Sequence, residues 1–232
     1  MLLHYNQYME IISEERMLKW LDNFWYHHKW ATIITAFFIV VAVICCVQLF
    51  NRQSYDACFE FVGNGGAITK TQYEDIVSSL KGFVADSDEN GEVSVLFSRE
   101  VFISDENDPI AGTLNSNVTS FMQSALYQDY FVFFIDPVLY DSYKESGMFV
   151  SLVGRIENIP DEMKYDDCAL KLSEMKIYEL PGMNAMPKNT LVVLKTVPYF
   201  SSGKKAEFMQ NNQNIHAKII ERFVEYGVYG AE

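Results

Sequence analysis

Along this chain of 232 residues the hydrophobic pattern changes character at residue 51. Upstream of it, Ala31 to Phe50 (ATIITAFFIVVAVICCVQLF) runs twenty residues without a charge, and only Thr32, Thr35 and Gln48 interrupt the apolar side chains. A helix rises about 1.5 Å per residue, so a stretch of this length crosses the roughly 30 Å hydrocarbon core of a bilayer with its backbone hydrogen bonds satisfied internally. Trp20, Trp25, Tyr26 and Trp30 crowd its N-terminal side among His27, His28 and Lys29, the mixture of amphipathic rings and cations that favours a membrane interface. Glu10 to Phe24 places apolar residues at near-helical spacing and predicts a short interfacial helix leading into the span.

Downstream, short apolar runs alternate with helical and turn patterns. Tyr55 to Val62 reads as a strand closed by Gly63-Asn64-Gly65-Gly66, and the spacing of Tyr73, Ile76, Val77, Leu80, Phe83 and Val84 predicts a helix from Thr69 to about Ala85. Glu92 to Ile103 predicts a second strand or strand pair. A second helix follows from Thr113 to Gln128, with Thr113 or Asn115 as its cap. Tyr130 to Ile135 is continuously apolar, the mark of a strand covered on both faces, and is taken as the centre of the sheet. A short helix over Val138 to Ser146, a stretch over 147–182 that mixes brief strands with turns at Pro160-Asp161 and Pro181-Gly182, a strand over Thr190 to Val197 and a closing amphipathic helix from Ala206 to Tyr226 complete the order. The alternation predicts an α/β domain over 51–232 with one mostly parallel sheet flanked by helices on both faces, behind an N-terminal segment over 1–30 and a transmembrane helix over 31–50.

Charge sharpens this picture. Residues 51–232 hold 15 Lys or Arg against 27 Asp or Glu, so nearly all of the net −13 belongs to the domain beyond the span. Such a surface repels phosphate backbones, and nucleic acid is not an expected partner. Arg16, Lys19 and Lys29 precede the span while Arg52 and the distant Lys70 follow it, a bias that points to a cytoplasmic N-terminus and an extracytoplasmic domain. No small-x-small cleavage site follows the apolar run, so it reads as an uncleaved signal anchor, and neither Cys45 nor Cys46 has the small preceding residue of a lipidation site. Cys58 and Cys168 read as buried thiols in preference to a disulfide, and Asn117-Val118-Thr119 is an N-glycosylation sequon.

Phe24 to Trp30 (FWYHHKW) resembles the aromatic stretch that precedes the membrane helix in small, largely uncharacterised single-pass membrane proteins of Firmicutes, particularly Clostridia. The order of elements that follows is similar to one lobe of extracellular solute-binding proteins, with YFVFFIDP (130–137) where such proteins have the strand leading to their ligand cleft. The resemblance implies a single-lobe binding or interaction module, and the chain has room for only one lobe. The alternative is a structural cell-envelope protein that assembles with other membrane proteins and takes no small ligand.

Candidate chemistry is sparse. Asp86, Asp88, Asn90 and Glu92 match the first half of a calcium loop, with oxygen ligands at alternate positions and Gly91 at the sharp turn, but Phe97 stands where the bidentate glutamate belongs. The weightier reading is a solvated acidic turn with Asn90-Gly91 left-handed. The acidic stretch 104–109 reads as a surface turn, and Asp161-Glu162 and Asp166-Asp167 as solvated charge. Asp136, just beyond the central strand, is the best single ligand-binding candidate, because ligands of open α/β sheets gather beyond strand C-termini. Its alternative role is a cap on the next helix. The domain holds one histidine, His216, read as a partly exposed surface residue. With no GxSxG, HExxH or P-loop pattern, no enzyme activity is expected, and no cofactor apart from the calcium that the loop could take.

Overall fold

A computed structural model describes residues 2–50, 55–64, 68–103, 105, 118–127 and 130–229, which fall into two compact units, Met1–Gln53 and Ser54–Glu232. The first unit is one helix, α1 (Leu2–Phe50). The expected interfacial helix and span form one continuous helix, because residues 2–50 contain neither glycine nor proline to interrupt the backbone ladder. Within it, Asp22–Gln48 contains an 18-residue stretch with a mean hydropathy of 2.7 and no buried residue, and it is long and apolar enough to cross a membrane. Ile33, Ile34, Phe37, Phe38 and Ile44 are all exposed, so the helix is apolar all round where a surface helix of a folded domain would show one stripe. At its N-terminal side the Trp20 ring stacks on Phe24, one turn on, at 5.5 Å.

The second unit is built on a five-stranded sheet of order β2-β1-β3-β5-β4. Its strands are β1 (Ala57–Gly63), β2 (Val95–Val101), β3 (Val132–Ile135), β4 (Ala169–Lys171) and β5 (Leu191–Leu194), and its helices are α2 (Lys70–Lys81), α3 (Val118–Tyr127), α4 (Pro137–Tyr143) and α5 (Gly203–Tyr229). β2, β1 and β3 pair in parallel, and β5 pairs antiparallel with both β3 and β4, so it alone runs against the other four. β4 lies in the stretch over 147–182 that was expected to mix brief strands with turns, and the sequence does not place it there because three residues carry no readable period.

Strand alternation sends side chains to two covered faces. Phe59 and Phe61 of β1 with Val132 and Phe134 of β3 meet Ile76 and Leu80 of α2 and Ile220 and Phe223 of α5. Val62, Phe133 and Ile135 meet Phe121 and Ala125 of α3 and Leu139 and Tyr140 of α4 on the other side. All four residues of β3 are fully buried, and β3 is third in the strand order, as its continuous apolar run predicts. Burying each such side chain is worth about 1.5–3 kcal/mol.

α2 starts where its sequence says it should. Thr69 caps it through Gln72 N–H, and Gln72 Oε1 accepts Thr69 N–H at 2.9 Å. It stops at Lys81, four residues before Ala85, and Phe83 and Val84 continue in tight i→i−3 turns. Phe83 there packs edge-on to Phe223 at 5.0 Å. Between α4 and β5 the chain makes a succession of 3-10 turns that bury Met163, Met175, Ile177, Met183 and Met186 in the α2–α5 face. Gly182 seats this stretch on α2: its φ is +78°, and a Cβ there would lie 2.6 Å from both Gln72 O and Ile76 N.

Candidate functional site

The acidic loop between α2 and β2 is held by its own hydrogen bonds. Asp86 Oδ2 accepts Gly91 N–H at 2.8 Å, Asp86 Oδ1 and Asp88 Oδ1 share Asn90 N–H at 3.3 and 3.2 Å, and Asn90 Oδ1 accepts Glu92 N–H at 2.8 Å. The left-handed residues are Glu89 (φ 56°) and Gly91 (φ 88°), so Asn90 is not left-handed as expected. Ligand oxygens of Asp86 and Asp88 converge within 4.8 Å of a third carboxylate that the spacing does not reveal, Asp56 at the head of β1. Asn90 is turned onto its own backbone and Glu92 is exposed, outside that trio.

Asp56 is 5 % exposed, and each of its oxygens accepts two hydrogen bonds. Oδ1 takes the backbone N–H and hydroxyl of Ser87 at 2.6 and 2.8 Å, and Oδ2 takes those of Ser94 at 2.8 and 3.1 Å. Burial works against its ionisation, but the bonds from Ser94 and Ser87 outweigh it and hold the carboxyl below its usual range. A calcium ion needs six or more oxygens, and here it would have to displace amide and hydroxyl donors from the most buried of the three carboxylates. These residues fit a turn that ties β1 to the start of β2, and they do not fit a calcium shell as arranged.

Asp136 stands at the C-terminal end of β3, 5 % exposed, beside Gly63 at the end of β1. Its N–H donates to Val62 O at 2.8 Å, and its Cβ is 3.7 Å from where a Gly63 side chain would begin. The carboxylate caps α4, Oδ1 accepting Val138 N–H at 2.8 Å with Pro137 in the first helical turn. The strand ends that were expected to line a site are therefore brought together and bonded to each other. Gly65, Gly66, Thr113, Asn115, the sequon residue Asn117 and most of the acidic stretch 104–109 lie outside the described residues.

Two further expectations are corrected. Asp166 is no solvated charge: both its oxygens accept the hydroxyl of the buried Tyr140 at 2.8 Å, and Oδ1 also takes the N–H groups of Cys168 and Ala169 at 2.9 and 3.0 Å. Burial, then the Asp166 carboxylate, push the Tyr140 phenol far above its ordinary range and keep it a donor. His216 is 3 % exposed, not a surface residue. Its Nδ1 lies 2.7 Å from Asn212 O and must donate to it, while Nε2 accepts Cys58 N–H at 3.2 Å, so the ring is neutral and ties α5 to β1. Cys58 and Cys168 are half-buried and are not joined in a disulfide, and burial raises the Cys168 thiol, followed by Asp166 and Asp167.

Open space adjoins the opposite end of the sheet. A cavity of about 240 Å³ lies between α3, the turn over 146–148 and the exit of β5 over 195–199. Met122, Ala125, Met148, Val197 and Pro198 supply an apolar wall, and among the described residues that line it Lys195 is the one that is charged. Lys195 is 1 % exposed, and its ammonium lies 4.7 Å from the centroid of the Phe131 ring. Its backbone is fixed on both sides, N–H to Phe131 O at 2.8 Å and C=O from Gln213 Nε2 at 2.7 Å. In TLVVLKTV, expected only as a strand, the signal for this residue is a lone lysine directly after the buried apolar run Leu191 to Leu194. Comparison with protein-family models, curated proteins and solved structures finds no match to this chain.

Proposed function

We propose that this protein is a membrane-anchored binding module. α1 lies in the bilayer with its N-terminus on the cytoplasmic side, and the α/β domain stands on the extracytoplasmic side and holds a small ligand. The observation that carries this reading is the cavity beside Lys195, which combines an apolar wall, a few polar groups and a mouth at the exposed residues Ser146, Gly147 and Tyr199. The mostly parallel sheet between two layers of helices supports a kinship with a solute-binding lobe, although the cavity sits at the other end of β3 from that suggested by the likeness.

A second reading, assembly with other envelope proteins, is favoured by Tyr199 and Phe200, an edge-to-face aromatic pair of which Tyr199 is 97 % exposed. Native mass spectrometry of the full-length chain released from its own membranes separates the two. The binding reading expects a co-purified small molecule that is lost when Ala125→Leu narrows the cavity. A bare chain, or one carrying only protein partners, would favour assembly. The membrane arrangement is tested with an impermeant maleimide on intact cells, in a background lacking the native cysteines: Lys204→Cys should label and Met17→Cys should not.

A further inference from the structure

We propose that the domain makes a lipid contact of its own, docking on an anionic bilayer surface through the turn over 198–201 and the start of α5; this rests on the reading of α1 as a membrane anchor. The turn holds two rings outward. Ser201 N–H donates to Pro198 O at 2.9 Å, which closes a four-residue turn with Tyr199 and Phe200 at its central positions. Ser201 Oγ donates to Met209 Sδ at 3.3 Å and so seats the turn on α5. Central turn positions ordinarily carry small or polar residues. Here Tyr199 is 97 % exposed, with the Phe200 ring edge-on to it at 5.6 Å. Lys204 and Phe208, four residues apart near the start of α5, share a face of the helix, and both they and Lys205 are exposed. Rings among lysines are the mixture that suits a membrane interface: the rings enter between headgroups while the ammonium groups stay in the wet headgroup layer.

Charge and topology favour lipid as the occupant. The domain holds 15 Lys or Arg against 27 Asp or Glu, yet no acid stands between Glu179 and Glu207, and Glu207 is the one acid before Glu221. The neighbourhood of the turn is therefore locally basic on an acidic domain, the sign that an anionic leaflet attracts. Phe59 of β1 pairs with Val132 of β3, and Val132 with Leu194 of the opposed strand β5. The chain thus enters β1 at the same end of the sheet where β5 leaves toward Tyr199. Six residues, 51–56, connect α1 to β1, a tether of at most about 25 Å. A patch tethered so closely meets lipid at high effective concentration, and a weak surface suffices. The acidic loop over 86–92 lies at this end too, beside β1 and β2, and its charge confines the contact to the β5 side.

The test places the full-length chain, one per disc, in nanodiscs of phosphatidylcholine with roughly a third phosphatidylglycerol and a trace of lipid carrying gadolinium on its headgroup. Paramagnetic loss of amide signal is read residue by residue. Docking predicts loss concentrated over 199–205 and weaker over 86–92, with Gly63 and Asp136 at the far end of the sheet keeping their signals. Discs of phosphatidylcholine alone, or Lys204→Gln with Lys205→Gln, should remove most of that loss, two lysines being worth on the order of tenfold in the docked-to-undocked ratio. Tyr199→Ser should weaken it as well, and unshifted Gly63 and Asp136 signals show that a variant is folded. Should a variant not fold, the change of lipid on the wild type decides alone. Equal loss over 199–205 and 86–92, or loss that ignores lipid charge, marks tethering alone and would overturn the docking. No loss over 199–205 while Lys29 and Trp30 lose theirs would overturn it too, leaving the anchor standing and the turn open to a protein partner. Loss at neither place would remove both.

Discussion

The two ends of the central sheet treat their polar residues differently. At the C-terminal ends of β1 and β3, Gly63 and Asp136 pack against each other and the carboxylate accepts a backbone N–H of α4. At the other end, Lys195 sits equally deep but borders about 240 Å³ of space. Burial of a polar group is common to both. What separates a structural polar residue from a candidate binding one is the volume beside it, and a sequence does not display that volume.

The contrast can be tested by substitution, and the largest expected effect belongs to neither end and calibrates both. Gly182→Ala places a Cβ 2.6 Å from two backbone atoms of α2 at a positive φ. It should cost about 3 kcal/mol or more, lowering the melting temperature of the domain by on the order of 10 °C in thermal unfolding followed by circular dichroism. His216→Leu comes next. It leaves Cys58 N–H without its acceptor in a buried place and should cost about 1–3 kcal/mol by urea unfolding. Asp136→Ala removes one helix cap and should cost about 1 kcal/mol by urea unfolding.

The smallest effect is a pH dependence. The Asp56 carboxyl is held below its ordinary value of 3.8 in the folded state, so its stabilisation is fully present above 3.8 and is lost as pH falls through the lower folded value. Asp56→Asn should therefore be less stable than the wild type at neutral pH, and the gap should narrow as urea titrations are carried below pH 3.8. A gap that stays constant down the acid limb would mean that the Ser87 and Ser94 bonds do not depend on the charge.

Much of the architecture was legible in the sequence, for particular reasons. Tyr130 to Ile135 announces a central strand because residues covered on both faces must all be apolar. Thr69 and Gln72 announce a helix start because a hydroxyl and an amide three residues apart can satisfy each other's backbone donors. Brief strands and turns were expected between α4 and β5, but β4 and the 3-10 turns could not be placed, because they are too short for any period and are held by tertiary contacts of Met163, Met175 and Met183. The candidate site was the least legible part. The spacing of Asp86, Asp88, Asn90 and Glu92 looked like a ligand set, but Asp56, 30 residues upstream of Asp86, is the group that converges with the first two. His216 looked exposed because it lies beside an apolar stripe, and nothing local reveals that Cys58 N–H waits for it across the fold.

The most direct test of the account is a map of backbone amide shifts on adding hexanamide, a small molecule with an apolar body, to the full-length chain. The account predicts changes concentrated over 146–148 and 195–199 with Gly63 and Asp136 unmoved. Changes concentrated at Gly63 and Asp136, or none above the noise anywhere in the domain, would contradict it.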